Sequence, residues 1–299
     1  MVRHNRSAAF DAAHREPADG VRRWSELADD PNDPRAVAHR ARTLERAWRP
    51  GIRDRVAYLA DRCRGKNVLD IGCVAHDETR LGGDEWLHGH LSRAAASCVG
   101  VDILEEGVAA VNAAGFDAVA HDLTSGLGPL ADRGPFDVIV AGELIEHVRD
   151  LDMVFRVAAE GLADDGQLIL TTPNPYSPQR VRAGQLGIVW ENVDHVSYLF
   201  PSGIAELAER RGLVLTEAAT VDERVRPGGS PVQKLKRSVR GSHWRNVGFA
   251  TLDDTGQETV DAGPVGRWLR NRARPRRRFL GETFVYVVRR HVGPGPDAA

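Results

Sequence analysis

The sequence predicts an α/β fold, in which a mostly parallel β-sheet is covered by helices on both faces. From residue 67 onward, short apolar runs alternate with segments that carry apolar residues at helical spacing. The 299 residues are enough for a well-buried core, and 42% hydrophobic residues with a net charge of -2 are ordinary for a soluble globular protein. We therefore predict one α/β domain with additions before and within it.

Seven apolar runs have the length and composition of β-strands, and the helical segments lie between them. The predicted strands cover 68–71, 98–103, 117–120, 136–141, 167–172, 214–221 and 283–288. The predicted helices cover 84–96, 105–114, 151–162 and 202–211, and Gly212 closes the last of them. Because strands and helices alternate, the sheet is expected to be parallel and buried on both faces.

The chain divides into four parts by composition. Residues 1–62 are polar and helical in pattern, with an Asp- and Pro-rich break at 29–34, and are predicted to form an N-terminal helical cap. Residues 63–223 form the predicted core. Residues 224–278 are rich in Arg, Pro and Gly, with fourteen Lys or Arg against four acidic residues, and read as a basic insertion without its own core. Residues 279–299 supply the last strand and a tail.

Composition also excludes several classes of protein. There is no run of eighteen apolar residues, so no membrane span is expected, and the N-terminus lacks the apolar core of a secretion signal. Three cysteines without a Cys-x-x-Cys pair argue against a disulfide scaffold and a zinc knuckle. A cytoplasmic location is therefore expected.

Acidic residues stand at the ends of the first three predicted strands. Asp70 closes the first and is followed by Gly72, where the chain can turn tightly towards a ligand. Asp102 closes the second, and its carboxylate can accept both hydroxyls of a ribose. Asp122 follows the third, where it can meet an adenine amino group. Because ligands bind at the carboxyl ends of strands in open α/β sheets, this series predicts a nucleoside site.

At these residues the sequence resembles the class I S-adenosylmethionine-dependent methyltransferases. The resemblance covers about 67–220 and the last strand, and its motifs are Val68-Leu-Asp-Ile-Gly-Cys73, Val99-Gly-Val-Asp-Ile103, His121-Asp-Leu123, Phe136-Asp-Val-Ile-Val140 and Leu162-Ala-Asp-Asp-Gly-Gln-Leu168. It implies a Rossmann-like, seven-stranded sheet whose last strand is antiparallel. It also implies S-adenosylmethionine as methyl donor, held by Asp70, Gly72, Cys73, Asp102, Ile103, Asp122, Leu123 and Gly142.

The first loop departs from the pattern of that family. Two of its usual glycines are missing from the segment between Asp70 and His76. His76 is therefore either a contact for the methionine carboxylate or a surface loop residue. A dinucleotide-binding dehydrogenase is disfavoured, because no Gly-x-Gly-x-x-Gly follows the strand.

A second group of functional candidates follows the fourth strand. If the segment after Gly142 opens a helix, Glu143, Glu146 and His147 share one face, and two carboxylates with an imidazole can hold a divalent ion. His195 is a fourth candidate. This Glu-x-x-Glu-His motif resembles the ubiquinone-biosynthesis O-methyltransferases, and with His195 it resembles the small-RNA 3′-end 2′-O-methyltransferases. The latter resemblance implies that Glu143, Glu146, His147 and His195 hold Mg, Mn, Fe or Zn.

Two other interpretations of this group remain open. His147 or His195 can act as a general base without metal, with Glu143 lining the acceptor pocket. Alternatively, Glu143 contacts the cofactor and His195 is a buried, hydrogen-bonded histidine. The sequence therefore proposes Glu143, His147 and His195 as catalytic residues without deciding their chemistry.

The predicted acceptor is a hydroxyl of a small molecule or glycan, such as a sugar, a vicinal diol or a catechol. The basic insertion suits an acidic or phosphorylated acceptor, or RNA phosphates, or it is a solvated loop. We place a small acceptor ahead of RNA because the core is acidic and no named RNA-binding module is present. A non-catalytic, cofactor-binding interaction protein is the remaining alternative.

Overall fold

The computed structural model describes residues 23–74, 81–83, 86–188, 191–221 and 281–290. Within these residues, seven strands form one sheet in the order β3-β2-β1-β4-β5-β7-β6. The strands are β1 (Asn67–Ile71), β2 (Ser97–Asp102), β3 (Ala118–Ala120), β4 (Phe136–Gly142), β5 (Leu162–Pro173), β6 (Leu213–Val221) and β7 (Thr283–Arg290). All seven predicted strands are therefore present.

The direction of the strands confirms the predicted architecture. β1 pairs in parallel with both β2 and β4, and the parallel pairing continues outward to β3 and β5. β7 enters between β5 and β6 and is antiparallel to both. The strand order reverses between β1 and β4, so the carboxyl ends of these two strands open a crevice at the topological switch point.

Helices cover both faces of the sheet. Their bounds are α1 (Pro34–Ala47), α2 (Arg55–Cys63), α3 (Leu87–Ala94), α4 (Glu105–Ala113), α5 (Asp152–Gly161), α6 (Pro178–Gln185) and α7 (Pro201–Arg210). The sequence pattern predicted α3, α4, α5 and α7 and a helical cap where α1 and α2 lie. It did not predict α6, which has few apolar residues but begins with a Ser177 cap and a proline in its first turn. None of the described helices is long and apolar enough to span a membrane.

The β1 strand shows why both faces must be covered. Leu69 and Ile71 lie in one buried apolar cluster, and Val68 lies in the cluster on the opposite face. Neighbouring β4 repeats the pattern with Ile139 on the first face and Val140 on the second. Successive side chains of a strand point to opposite faces, so a continuous apolar run requires two covered faces.

Strand β5 begins earlier than predicted. Its first residue Leu162 pairs with Phe136, and the pairing is irregular before it resumes at Gln167. The acidic segment before the predicted strand at 167–172 is therefore part of β5. Gly166 fits there because a Cβ at this position would lie 2.9 Å from the Phe136 carbonyl oxygen.

The helical cap docks on the β6 edge of the sheet. α1 packs against β6 and α7, and the Arg40 guanidinium forms ion pairs with Glu206 and Glu209 of α7. The segment after α1 runs beside β6, with Ile52 N donating to the Thr220 carbonyl oxygen over 2.8 Å. This docking directs the start of α2 towards the carboxyl ends of β4 and β5. Residues 1–22 and the predicted basic insertion lie outside the described residues.

Candidate active site

The first loop of the predicted donor site turns at Gly72. Its φ of +78° lies in the left-handed region that favours glycine, and a Cβ there would approach Leu144 Cδ1 to 3.0 Å. Gly72 N donates to the Val101 carbonyl oxygen over 2.8 Å, and the following Cys73 is buried. The loop after β1 thus lies against both β2 and the segment that follows β4.

Asp102 connects this loop to the end of β2. Its Oδ2 accepts a hydrogen bond from Val74 N over 3.1 Å, and its Oδ1 accepts one from Leu104 N over 3.2 Å. Each carboxylate oxygen has two acceptor sites, so the group retains capacity for ligand hydroxyls. The adjacent residue Ile103 is 69% exposed, which leaves an apolar surface beside the carboxylate.

Asp70 is placed differently from Asp102. Its side chain is buried, and its Oδ2 lies 3.0 Å from Nδ1 of the fully buried His88 on α3. Trp86, just before the same helix, donates from Nε1 to the Cys73 carbonyl oxygen over 3.0 Å. Residues near the start of α3 therefore hold both Asp70 and the loop that lacks the usual glycines.

The remaining predicted donor residues lie after β3 and β4. Asp122 is exposed and caps a short 3-10 helix, and the hydrogen bond from Thr124 N keeps the pKa of its carboxyl below the usual value. Leu123 is buried in the core, and Gly142 ends β4. His76 lies outside the described residues.

The segment after β4 is a turn, so the condition that it opens a helix is not met. Glu143 has a φ of +54°, outside the right-handed helical region, and its N–H donates to both the backbone oxygen and Oγ1 of Thr171. His147 N donates to the Leu144 carbonyl oxygen over 2.9 Å, which closes a single turn. The hydrogen bonds from Glu143 N to Thr171 of β5 therefore hold the segment in a turn, and it does not form a helix.

This turn nevertheless brings three of the four predicted ligands together. Among the described residues, Glu146, His147 and His195 each offer one ligand atom, and these three atoms all lie within 4.8 Å of one another. The loop that carries His195 is joined to the turn by Val196 N, which donates to the Glu146 carbonyl oxygen over 2.8 Å. Glu143 lies outside this group.

Glu146 is the most buried member of the group. Its Oε2 accepts a hydrogen bond from Thr172 Oγ1 over 2.9 Å, whereas its buried Oε1 has no hydrogen-bond partner among the described residues. Burial, with the nearby Glu143 charge, raises the pKa of the Glu146 carboxyl to about 7. A buried carboxylate oxygen without a donor, next to two imidazoles, fits a cation site.

Each histidine of the group has a carboxylate at its Nδ1 atom. His147 Nδ1 lies 3.0 Å from Asp194 Oδ2, and His195 Nδ1 lies 3.1 Å from Glu191 Oε2. The His195 contact has hydrogen-bond geometry, and an imidazole that donates from Nδ1 has its lone pair at Nε2, which is the arrangement of histidine ligands in metalloproteins. The donor set of one carboxylate and two imidazoles therefore suits a borderline divalent ion such as zinc, or a harder one such as manganese.

Arg55 is a site residue that the sequence patterns did not reveal. It is the first residue of α2, which Asp54 caps, and its Nη1 donates to Thr171 Oγ1 over 3.3 Å. A Cβ on Gly142 would lie 3.5 Å from the same nitrogen, and the Arg55 charge lowers the pKa of Glu146 against the effect of burial. No motif marks this arginine, since only the docking of the cap brings it to the crevice.

Comparison with known proteins finds similar sequences and a similar fold for most of the chain. A protein-family model described as a methyltransferase domain matches residues 39–218. A ubiquinone biosynthesis O-methyltransferase from Cupriavidus pinatubonensis is 28% identical over 215 residues, which are 66% of this chain and 78% of that protein. The one from Azorhizobium caulinodans is 32% identical over 143 residues, 47% of this chain and 51% of its own length.

Among solved structures, a SAM dependent methyltransferase from Archaeoglobus fulgidus shares the fold. It has a TM-score of 0.50 at 17% identity and covers 78% of this chain and 90% of its own. Some curated relatives are matched over less than two thirds of their length, with 63% in Idiomarina loihiensis and 51% in Azorhizobium caulinodans.

Proposed function

Because the chain belongs to the methyltransferase-domain family and is an S-adenosylmethionine-dependent methyltransferase, we propose that it methylates a hydroxyl oxygen of a small acceptor with two neighbouring hydroxyls. The observation that carries this proposal is the Glu146, His147 and His195 group at the carboxyl end of β4. The relatives named ubiquinone biosynthesis O-methyltransferases support oxygen as the acceptor atom.

Two charged side chains are proposed to hold the methyl donor on either side of its sulfonium. Asp102 stands at the carboxyl end of β2 with unused acceptor capacity, which suits the two ribose hydroxyls. Arg55 brings a cation to the carboxyl ends of β4 and β5, which suits the carboxylate of the methionine part. Held on both sides of the sulfonium, the donor would have its methyl group fixed in position.

A divalent ion is proposed to bind Glu146, His147 and His195. Such an ion, when bound, supplies Lewis-acid chemistry that lowers the pKa of a hydroxyl and fixes its position. Three protein ligands are typical of catalytic sites in which other positions stay open. A pair of neighbouring hydroxyls, as in a catechol or a sugar diol, matches those open positions better than an isolated hydroxyl does.

The residues themselves are proposed to supply alignment, charge and exclusion of water. The reaction breaks the bond between sulfur and methyl, forms a bond between the acceptor oxygen and methyl, and releases the hydroxyl proton. The carboxylates of Glu146 and Glu143 place negative charge in the site, which by itself opposes loss of that proton, and a bound cation would offset this charge. The buried Thr171 and Thr172 fix the backbone and side chains that line the crevice.

The test is methyl transfer from S-adenosylmethionine to catechol, by protein treated with a chelator and then supplied with Mg²⁺, Mn²⁺ or Zn²⁺. We expect turnover to fall on chelation, to recover with one of these ions, and to be far lower with phenol, which has a single hydroxyl. Glu146→Gln should abolish the recovery, whereas Glu160→Gln, which changes an acidic residue of α5, should not.

Two results would overturn parts of the proposal. Unchanged turnover in metal-free protein would remove the ion and leave His147 or His195 as a general base. Transfer to the 3′-terminal diol of a short RNA, but not to catechol or a simple sugar diol, would replace the small acceptor by RNA. Mass spectrometry and NMR of the product would identify the methylated atom.

A further inference from the structure

A second set of side chains lies behind the histidine group. Arg180 of α6 donates from Nε to Glu191 Oε1 over 2.6 Å, and the other oxygen of the same carboxylate lies 3.1 Å from His195 Nδ1. Glu191 therefore divides its two oxygens between a guanidinium and an imidazole. The side chains of Arg180 and Glu191 are 18% and 19% exposed, and that of His195 is 7% exposed.

Arg180 is attached to the rigid part of the fold. Its backbone N–H donates to the Ser177 Oγ that caps α6, and its Nη1 donates to the Glu282 carbonyl oxygen over 3.1 Å. Glu282 lies immediately before β7, the strand that enters the centre of the antiparallel part of the sheet. His195, by contrast, lies in the irregular segment between α6 and α7, so Arg180 links this segment to the sheet through Glu191.

The Glu191 contact determines which nitrogen of His195 is available. A neutral imidazole carries one proton, and a carboxylate at Nδ1 holds the proton there, which leaves the lone pair at Nε2. Without such a partner the two tautomers exchange and the ring can rotate. In metal sites, outer partners of this kind typically change metal affinity by about 10- to 100-fold.

We propose that Arg180 and Glu191 are positioning residues that hold His195 in the orientation and tautomer required to bind a divalent ion. This inference rests on the proposed function, because it takes the histidine group to be a metal site. Arg180 acts through Glu191 alone: it keeps the carboxylate aligned and balances its charge, so that Glu191 serves His195. Neither residue is expected to touch the donor or the acceptor.

Another ion pair of the same type provides the contrast. Arg62 donates to both oxygens of Glu217, over 3.1 and 2.7 Å, on the outer part of the sheet. The side chains of Arg62 and Glu217 are 27% and 21% exposed, close to the values for Arg180 and Glu191. Partly exposed pairs like these contribute little to stability, about 0–1 kcal/mol. If both pairs had a purely structural role, loss of either would have the same effect on metal binding. The proposal expects only loss of the Arg180–Glu191 pair to weaken metal binding.

The experiment measures Mn²⁺ binding to the metal-free full-length chain by calorimetry. We expect Glu191→Ala to weaken Mn²⁺ binding by about tenfold or more, and Arg180→Met to weaken it by a smaller factor. The double variant should resemble Glu191→Ala alone, since the two residues act in series. Glu217→Ala should bind Mn²⁺ as the wild type does, and all variants should bind S-adenosylhomocysteine normally.

A second measurement does not depend on bound metal. The ¹⁵N chemical shifts of His195 report its tautomer, and the signal is assigned by its loss in a His195→Gln variant. We expect the tautomer protonated at Nδ1 in the wild type and a mixture in Glu191→Ala. Glu191→Gln, which keeps a carbonyl oxygen as acceptor, should restore part of the Mn²⁺ affinity lost in Glu191→Ala.

The outcomes separate this inference from the proposed function. Wild-type protein that takes up no Mn²⁺, Zn²⁺ or Mg²⁺ would overturn the metal site and the inference together. Wild-type protein that binds metal, with a folded Glu191→Ala variant that binds it within a factor of about two, would overturn the positioning role alone. An equal loss of Mn²⁺ affinity in Glu191→Ala and Glu217→Ala would show that general destabilisation causes the effect, and would overturn the positioning role.

Discussion

The His147 imidazole stands edge-on to the His195 imidazole, with ring centroids 4.7 Å apart and planes inclined by 80°. One ring belongs to the turn after β4 and the other to the segment before α7. The bond from Val196 N to the Glu146 carbonyl oxygen joins the two segments. This contact turns two distant motifs into one site, and the predicted chemistry depends on it.

Asp102→Ala is expected to weaken binding of S-adenosylhomocysteine by about tenfold or more, because hydrogen bonds to a charged group contribute about 1.5–3 kcal/mol each. The affinity for 5′-methylthioadenosine should fall equally, since both ligands contain the ribose. Calorimetric titration measures both. The control Asp132→Ala changes an exposed carboxylate elsewhere and should leave both affinities unchanged. An Asp102→Ala affinity within a factor of about two of wild type would reject the ribose assignment.

Arg55→Gln is expected to separate the same two ligands. S-adenosylhomocysteine carries the amino-acid carboxylate, and its affinity should fall by about tenfold, as for loss of a charge-assisted hydrogen bond. 5′-methylthioadenosine lacks that carboxylate and should bind as before. The matched control is Arg53→Gln, two residues earlier on the exposed approach to α2. If both ligands weaken together, Arg55 acts on the fold of the crevice instead of on the carboxylate.

Gly100→Ala is expected to destabilise the protein and disturb the donor loop. A Cβ at this position of β2 would lie 2.6 Å from Cys73 Sγ and 2.9 Å from His88 Cε1. Such overpacking costs about 1–3 kcal/mol, and the displaced Cys73 loop should also weaken donor binding. Urea unfolding and donor titration measure the two effects.

Gly203→Ala is the control for this substitution. Gly203 lies in α7, and its new Cβ would meet only Leu199 Cδ2 at 3.8 Å. Alanine in a helix should leave stability unchanged or raise it by up to about 1 kcal/mol. Equal stability of the two variants would mean that β2 and the first loop pack loosely.

His39 is expected to make stability fall at acidic pH. Burial in α1, with the charges of Arg40 and Arg42, lowers the pKa of the His39 imidazole in the folded state. The folded protein therefore binds fewer protons at His39 than the unfolded chain does. The contribution of neutral His39 to stability is fully present above the pKa of the unfolded state, and it is lost as the pH falls through the pKa of the folded state. Each pKa unit of difference corresponds to about 1.4 kcal/mol.

The measurement compares wild type with His39→Gln. Urea unfolding at about pH 7.5 and about pH 5.5 brackets the titration of an ordinary histidine. The wild type should lose more unfolding free energy than the variant between these two values. Parallel losses in the two proteins would show that His39 does not carry the effect.

Local patterns predicted the sheet well because its strands are buried on both faces. The apolar runs around Val68 and Val138 do not depend on their partners for recognition, and the resemblance supplied the antiparallel last strand. The same patterns did not reveal the turn after Gly142, where a helix was considered. Glu143 adopts a left-handed conformation there because its N–H bonds to Thr171 on the next strand, and this contact leaves no local signal.

The amino-acid order alone showed three features of this protein: the alternation of strands and helices, the acidic strand ends and the Glu-x-x-Glu-His motif. Each is a property of neighbouring residues. Folding alone decided that His195 meets Glu146 and His147, that Arg55 reaches Thr171, and that Arg180 supports Glu191. These contacts join segments far apart in the chain. Their partners are chosen by how the cap and loops pack on the sheet, which short-range periodicity does not encode.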